Sequence, residues 1–481
     1  MKKLFNFIDG EKRAASSQQW IENINPATGE VLSLIPRSSE HDAEAAIQSA
    51  QDSFDGLWSS YSYTQRADLL DAVANRIEER LEEFALAESQ DNGKPLHLAR
   101  MIDIPRAIAN FRFFAGAVRH DQTGCHMMAD ALNYTLRKPL GVVSLITPWN
   151  LPLYLLSWKV APALAMGNTV VAKPSEMTPT TAGLLAEVFD EVGAPKGVYN
   201  LVQGYGAEVG TPLTTSEAVK GISFTGGTVT GRIVAGAAAP LFKKLSLELG
   251  GKNASIVFED CDFEQTVAGI TRAAFLNQGQ ICLCGSRILV QRSIYKQLVD
   301  AVVARASELK VGDPLHEESG LGALISVEHR SKVESYIQQA LDDGGQIRCG
   351  GRRPHLGRQF EKGAWLEPTV ITDLDPSCAT SMEEIFGPVV VIHPFDTEEE
   401  ALDIANSVEY GLAGTVWTEN LKRAHRVASK MKTGMVWVNT WLHRDLRVPF
   451  GGVKNSGVGR EGGVNSLSFF SEKQNICIKL Q

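Results

Sequence analysis

The chain has 481 residues, 44% hydrophobic and 21% charged, which suits a globular protein with enough apolar material for two or three domains. Its 47 Lys+Arg against 56 Asp+Glu leave a formal charge of −9, which argues against nucleic acid or an anionic membrane surface as a partner. No apolar run reaches the ~18 residues of a membrane span, and the signal-like start Met1-Lys2-Lys3 with Leu4–Ile8 is cut short by Asp9 and Glu11, so a cytoplasmic protein is expected.

From Ala43 to Glu88 the sequence is Ala-rich and charged, with apolar residues three and four apart, which predicts helix. A second helical run covers Ile104–Arg119, and Leu132–Arg137 alternates like a short half-exposed strand. From Gly141 the pattern changes. Gly141–Thr147 reads as a buried strand, then helix Tyr154–Met166, strand Thr169–Ala172, helix Thr180–Glu191 and strand Val198–Val202 follow. A Gly-punctuated helix, strand Gly221–Thr225, a helix from Thr228 and strand Lys244–Leu249 complete this part. Near-continuous β-branched strands alternating with helices predict a parallel, doubly wound sheet.

Beyond Gly250-Gly251 the alternation resumes with strand Ala254–Phe258, helix Glu264–Leu276, strand Arg287–Val290 and helix Ile294–Leu309. Helix His329–Asp342 and strands Thr369–Ile371 and Val389–Pro394 extend it into a second α/β domain. The tail from Asn475 to Leu480 alternates like an exposed edge strand, which invites pairing with another subunit.

Seven cysteines (125, 261, 282, 284, 349, 378 and 477) are scattered and odd in number, so neither a disulfide framework nor a metal site is expected. Cys282 follows a helix that ends in Asn277-Gln278-Gly279-Gln280 and precedes a strand, a place where a thiol can be exposed at a domain junction. Taken alone, such a cysteine is more often a small buried hydrophobe. Glu248 lies between two leucines at the end of an apolar strand, where desolvation raises a carboxyl pKa toward that of a general base; the commoner alternative is a strand-end Glu facing solvent. Asn150, in Thr147-Pro148-Trp149-Asn150-Leu151-Pro152, stands at the carboxyl end of a strand, where ligands gather on open α/β sheets. Its amide can donate to an oxyanion, or it serves turn geometry only.

Two glycine patterns compete for a dinucleotide phosphate. Gly204-Tyr205-Gly206 with Gly210 follows one strand and opens a helix, and Gly226-Gly227 with Gly231 does the same after the next. Each is a weak signal. Lys173-Pro174-Ser175-Glu176 adds a carboxylate at the end of a neighbouring strand, where it favours the free 2′-hydroxyl of NAD over a 2′-phosphate.

Together these motifs resemble the aldehyde dehydrogenase superfamily over nearly the whole chain. Asn25-Pro26-Ala27-Thr28-Gly29-Glu30, Pro148-Trp149-Asn150, Lys173-Pro174-Ser175-Glu176, Phe224-Thr225-Gly226, Leu247-Glu248-Leu249-Gly250-Gly251, Gly279-Gln280-Ile281-Cys282, Glu384-Ile385-Phe386-Gly387-Pro388 and Pro449-Phe450-Gly451-Gly452 stand in that family's order and spacing. The resemblance implies an α/β fold with a Rossmann-type coenzyme domain (1–120 and 140–249), a catalytic domain (250–450), and a β-flap (121–139 and 466–481). The flap would build a homo-oligomer, dimer or tetramer.

It also implies roles. Cys282 would attack the aldehyde, the Asn150 amide would hold the oxyanion, and Glu248 would activate water against the resulting thioester. NAD would be held by Ile146, Thr147, Pro148, Trp149, Lys173, Ser175, Glu176, Gly206, Gly210, Thr225, Gly226, Gly227, Leu249, Glu384 and Phe386. Lys159 and Glu461 match a suggested proton relay. Gly227 stands where many relatives have Ser, and Cys284 where Ala is common, so Cys284 is expected to pack.

Asp103-Ile104-Pro105-Arg106, Ile281-Cys282-Leu283-Cys284, Arg444-Asp445-Leu446-Arg447 and Arg460-Glu461-Gly462-Gly463 resemble the 2-hydroxymuconate and 2-aminomuconate semialdehyde dehydrogenases within that superfamily. Arg106 and Arg444 match aldehyde-tunnel positions that are usually apolar, so the resemblance implies a substrate with a carboxylate remote from its aldehyde. Two structural salt bridges are the alternative. Other open readings are an aldehyde dehydrogenase for succinate semialdehyde or general aldehydes, a coenzyme A-acylating enzyme, which Glu248 disfavours, and a non-enzymatic protein on this scaffold.

Overall fold

A computed structural model describes residues 1–480. Its largest sheet has eight strands. The central five run parallel in the order Lys244–Glu248, Val219–Thr225, Val142–Ile146, Thr169–Lys173 and Tyr199–Leu201. Thr169–Lys173 is buried at every position, as a strand covered on both faces must be. Alternation then divides the faces. Val143, Leu145, Val170 and Ala172 pack under helices Ile104–Arg119, Pro152–Ala165 and Thr180–Glu191, while Val142, Val171 and Leu247 pack under Glu40–Asp55, Gly206–Thr215 and Thr228–Ala238.

Both edges of this sheet differ from the parallel expectation. Asn6–Ile8 and Glu11–Arg13 add an antiparallel hairpin beside Tyr199–Leu201. At the other edge Gly457–Val458 pairs antiparallel with Leu247 and Glu248, so a segment beyond residue 450 completes the sheet that carries Glu248. Such short strands give too few residues to show a period of two.

The predicted helical stretch Ala43–Glu88 is three α-helices, Glu40–Asp55, Tyr63–Glu79 and Leu81–Asn92. Ser62 caps the second with a reciprocal pair of contacts to Gln65. Helices Ile104–Arg119 and Thr180–Glu191 have the bounds that periodicity predicts. One π-helical turn, Ala99–Asp103, precedes the former.

A second sheet has seven strands in the order Gln346–Cys349, Thr369–Thr372, Val389–Phe395, Arg287–Gln291, Ala254–Val257, Ala413–Trp417 and Met435–Val438, all parallel except the first. The first strand and the last two are not among those predicted from sequence. A three-stranded antiparallel sheet joins Ser471–Lys479, Ala131–Pro139 and Cys125–Met127, with Ser471–Lys479 along one edge. The tail strand begins at Ser471 rather than Asn475. Residues Gly463–Phe469, assigned in part to the flap from sequence, form instead a helix against Ile104–Arg119 and Pro152–Ala165, because Leu467 and Phe470 bury in that core.

Candidate active site

Parallel pairing sets the carboxyl ends of the five central strands along one edge of the large sheet. Thr147–Asn150, Lys173–Glu176, Gly204–Gly206, Gly226-Gly227 and Glu248 all follow or end those strands. Both glycine patterns therefore reach the same edge, one opening helix Gly206–Thr215 and the other helix Thr228–Ala238. The hydroxyls of Thr147, Thr225 and Thr228 are buried there without partners, as donors awaiting a polar ligand would be. Lys173 Nζ meets Glu176 Oε2 at 3.1 Å. Ser175 Oγ accepts from the Met177 amide at 3.3 Å. Ile146 ends its strand, and Pro148 leads into the Trp149–Asn150 turn. Gly210 lies inside its helix, and Leu249 packs where a Cβ on Gly231 would intrude.

Cys282 stands between helix Phe263–Phe275, followed by the irregular turn Leu276–Gly279, and strand Arg287–Gln291. Asn277, Gln278 and Gly279 take left-handed backbone angles ahead of it, and a Cβ on Gly279 would overlap the Gly387 carbonyl. The loop ahead of Cys282 is thereby pressed against the loop of Glu384 and Phe386. Burial, together with Glu384 and Glu248, pushes the Cys282 thiol upward, so the resting thiol keeps its proton. Cys284 is buried among Ala273, Leu412, Trp441 and Phe450, as the packing expectation has it.

Glu248 is 4% exposed, and neither carboxylate oxygen has a partner. Burial, and then repulsion from Glu461, raises it well above the usual carboxylate range. Gly451 makes room for it, since a Cβ there would lie 2.6 Å from Glu248 Oε1. Asn150 is also buried, and its Nδ2 donates to the Gln280 carbonyl at 2.9 Å. Lys159 Nζ meets Glu461 Oε1 at 2.6 Å and Ser223 Oγ at 2.8 Å, and Ser223 donates to the same Glu461 oxygen at 3.2 Å. Sequence reasoning missed Ser223. It lies inside a buried strand, where a serine carries no local signal.

Glu384 Oε1 accepts from the Gly251 amide at 2.8 Å, and burial pushes its carboxyl up to about 7. Phe386 has a left-handed φ of 61° and meets Trp149 edge-on at 5.3 Å. His329, also unforeseen, contacts both rings and holds the Phe386 carbonyl at 2.7 Å.

A narrow cavity leads to Cys282, lined by Ile102, Tyr154, Leu155, Trp158, Arg444 and Phe450 among others. Arg444 stacks on Phe450 at 3.8 Å, and its Nε and Nη2 are buried without a partner. Arg106 rests on Tyr154 at 5.3 Å, donates from Nε to Asn110 Oδ1 at 3.2 Å, and leaves Nη2 buried and unpaired. Among the described residues neither guanidinium has a carboxylate in ion-pair reach; nearby Asp445 is taken by Arg447. The structural salt-bridge alternative is thus absent. Also among the described residues, no cluster of His, Cys, Asp and Glu has metal-binding geometry, and no helix is long and apolar enough to cross a membrane.

Residues 13–476 match the family model described as Aldehyde dehydrogenase family. The chain is 47% identical over its full length, and over 100% of the relative, to a 2-hydroxymuconic semialdehyde dehydrogenase of Pseudomonas sp. (strain CF600). It is 49% identical to a 2-aminomuconic semialdehyde dehydrogenase of Homo sapiens, covering 99% of this chain and 98% of that one. The NAD+ complex of an aldehyde dehydrogenase from Bacillus cereus superposes with a TM-score of 0.97 at 39% identity, covering 100% of this chain and 97% of that one. Matching in sequence and fold from end to end, the chain belongs to the aldehyde dehydrogenase family.

Proposed function

We propose that this protein is an NAD-dependent dehydrogenase of a muconate-type semialdehyde, a small aldehyde that carries a carboxylate at its far end. The observation that carries the substrate class is a pair of guanidiniums, Arg444 lining the Cys282 cavity and Arg106 behind its Tyr154 and Trp158 wall. Both have buried unpartnered N–H groups and no carboxylate in ion-pair reach among the described residues. A desolvated guanidinium without an anion is costly, and Arg binds carboxylates bidentately. The names of the two muconic semialdehyde relatives agree with that reading.

In this reading Cys282 adds to the aldehyde carbon and gives its proton to a neighbouring base. The Asn150 amide, which has a second N–H beyond the one on Gln280, donates to the oxyanion. NAD, when bound, supplies the hydride acceptor. It would be held by the Thr147, Thr225 and Thr228 hydroxyls, the Gly206 and Gly227 helix starts, Glu176 at the adenosine ribose, and Glu384 and Phe386 at the nicotinamide ribose. The acid is then released from a thioester on Cys282 by water that Glu248 deprotonates. A carboxyl raised by burial keeps its proton to higher pH and, once ionised, is the stronger base. The Ser223–Lys159–Glu461 contacts offer the proton a way out.

The proposed domain division follows the resemblance with two changes: Gly457–Val458 joins the coenzyme sheet, and helix Gly463–Phe469 moves from the flap to the coenzyme domain's core. A homo-oligomer is inferred from the flap, whose nine-residue strand Ser471–Lys479 lies at a sheet edge. Steady-state NADH production on aldehydes of equal length, with and without a distal carboxylate, tests the function. A marked preference for the carboxylated member is expected, and equal rates would overturn the substrate assignment.

A further inference from the structure

Three side chains donate to one backbone oxygen beside the nucleophile. The Asn150 carbonyl accepts from Lys94 Nζ at 3.1 Å, Asn277 Nδ2 at 3.2 Å and Asn92 Nδ2 at 3.3 Å. Asn92 also donates to the preceding carbonyl, that of Trp149, at 2.9 Å. A carbonyl has two lone pairs, so this one is saturated and its peptide is held from several directions.

Lys94 is the charged member of that set and is 0% exposed. It follows Asn92-Gly93, where helix Leu81–Asn92 ends in a left-handed glycine. Its ammonium meets Asp103 Oδ2 at 2.7 Å and Glu88 Oε1 at 3.9 Å. Burial pushes both the Glu88 and the Asp103 carboxyl groups up, and the nearby Lys94 ammonium opposes that at each of them. A buried ion pair contributes little to stability compared with apolar side chains of the same volume. Asp103 in turn lines the Cys282 cavity and ends the π-helical turn Ala99–Asp103. The pair thus bridges the cavity wall and the Asn150 peptide.

We propose that Lys94, anchored by Asp103, is a positioning residue for the oxyanion donor: it fixes the Asn150 peptide so that the side-chain amide faces the carbon attacked by Cys282. Lys94 does not touch the substrate. The inference rests on the assignment of Asn150 as oxyanion donor. A displacement of about 1 Å in a group that stabilises the transition state costs on the order of a hundredfold in rate.

The test measures first-turnover NADH by rapid mixing in the full-length Glu248→Gln enzyme, where hydrolysis stalls. The amplitude counts competent sites, and the rate constant reports the step that needs the oxyanion. Adding Lys94→Met should lower the rate constant about ten- to a hundredfold while the amplitude and the calorimetric Kd for NAD stay near the parent values. Lys94→Arg, which keeps the charge, should restore part of the rate. Asn150→Ala should slow the rate at least as much, and Lys94→Met should add little on top of it. A lower amplitude with an unchanged rate constant would make Lys94 a folding residue and overturn the proposal. So would full additivity with Asn150→Ala. If Asn150→Ala keeps the parent rate constant, the oxyanion assignment itself falls and takes this inference with it. Should Lys94→Met not fold, Asp103→Asn removes the anchor at nearly constant shape and must show the same loss in rate constant for the proposal to stand.

Discussion

Arg106 and Arg444 lie against one indole, that of Trp158, with their guanidinium carbons 5.6 and 4.6 Å from the ring centroid. One comes from the helix after the π-helical turn and the other from the loop before Phe450. Burial lowers the Arg106 pKa first; Tyr154 opposes that, Arg444 lowers it further, and Asp445, itself paired with Arg447, offsets only part. Two like charges held this way gain from a bound anion.

Each charged hydrogen bond to that anion should contribute roughly 1.5–3 kcal/mol. Arg106→Ala or Arg444→Ala should therefore lower kcat/KM for a carboxylated semialdehyde by about ten- to a hundredfold, and affect an uncharged aldehyde of similar length far less. Equal losses on both substrates would make the arginines structural and leave the family assignment untouched.

Cys282→Ala should abolish aldehyde oxidation while NAD binding, followed by calorimetry, stays near wild type. Cys284→Ala should keep a sizeable part of the activity, because its thiol is buried in an apolar cluster. Turnover by the Cys282 variant would remove it as nucleophile.

Glu248→Ala should release NADH in one burst and then stall as a thioester visible by mass spectrometry. The raised pKa of Glu248 fixes the sign of the pH effect in the wild-type enzyme. Deacylation needs the ionised carboxylate, so it should speed up as pH rises through a value well above the usual ~4.3 of glutamate, with thioester accumulating below it. A deacylation rate that is flat with pH would place the base elsewhere.

The Lys173–Glu176 pair at 3.1 Å sets a carboxylate at the end of its strand, on a cavity that Tyr205 also lines. The ratio of kcat/KM for NAD over NADP should be well above one, and Glu176→Ser should reduce it by removing repulsion of a 2′-phosphate. Equal use of both coenzymes by the wild-type enzyme would show that Glu176 faces away from the ribose.

Local regularities were readable in the sequence because they depend on neighbours. Apolar spacing places helices Ile104–Arg119 and Thr180–Glu191 with their actual bounds, and runs such as Thr169–Ala172, one residue short of the observed strand, announce a sheet buried on both faces. Cys282, Glu248 and Asn150 stood out as candidates through ordered motifs, since each sits at a strand or helix end that its own segment defines. Short or charged strands such as Glu11–Arg13 were not, because they rely on a partner strand rather than on periodicity.

Only the tertiary structure decides which of these segments meet. Nothing local to Gly457–Val458 says that it seals the sheet beside Glu248, or that Ser223 joins Lys159 to Glu461. The same holds for Arg106 and Arg444 at Trp158, and for Lys94 at the Asn150 carbonyl. Periodicity states which face of an element is buried. What that face is buried against depends on loop paths and on the packing of the whole core, so charge pairing at the site emerges only when the chain is closed.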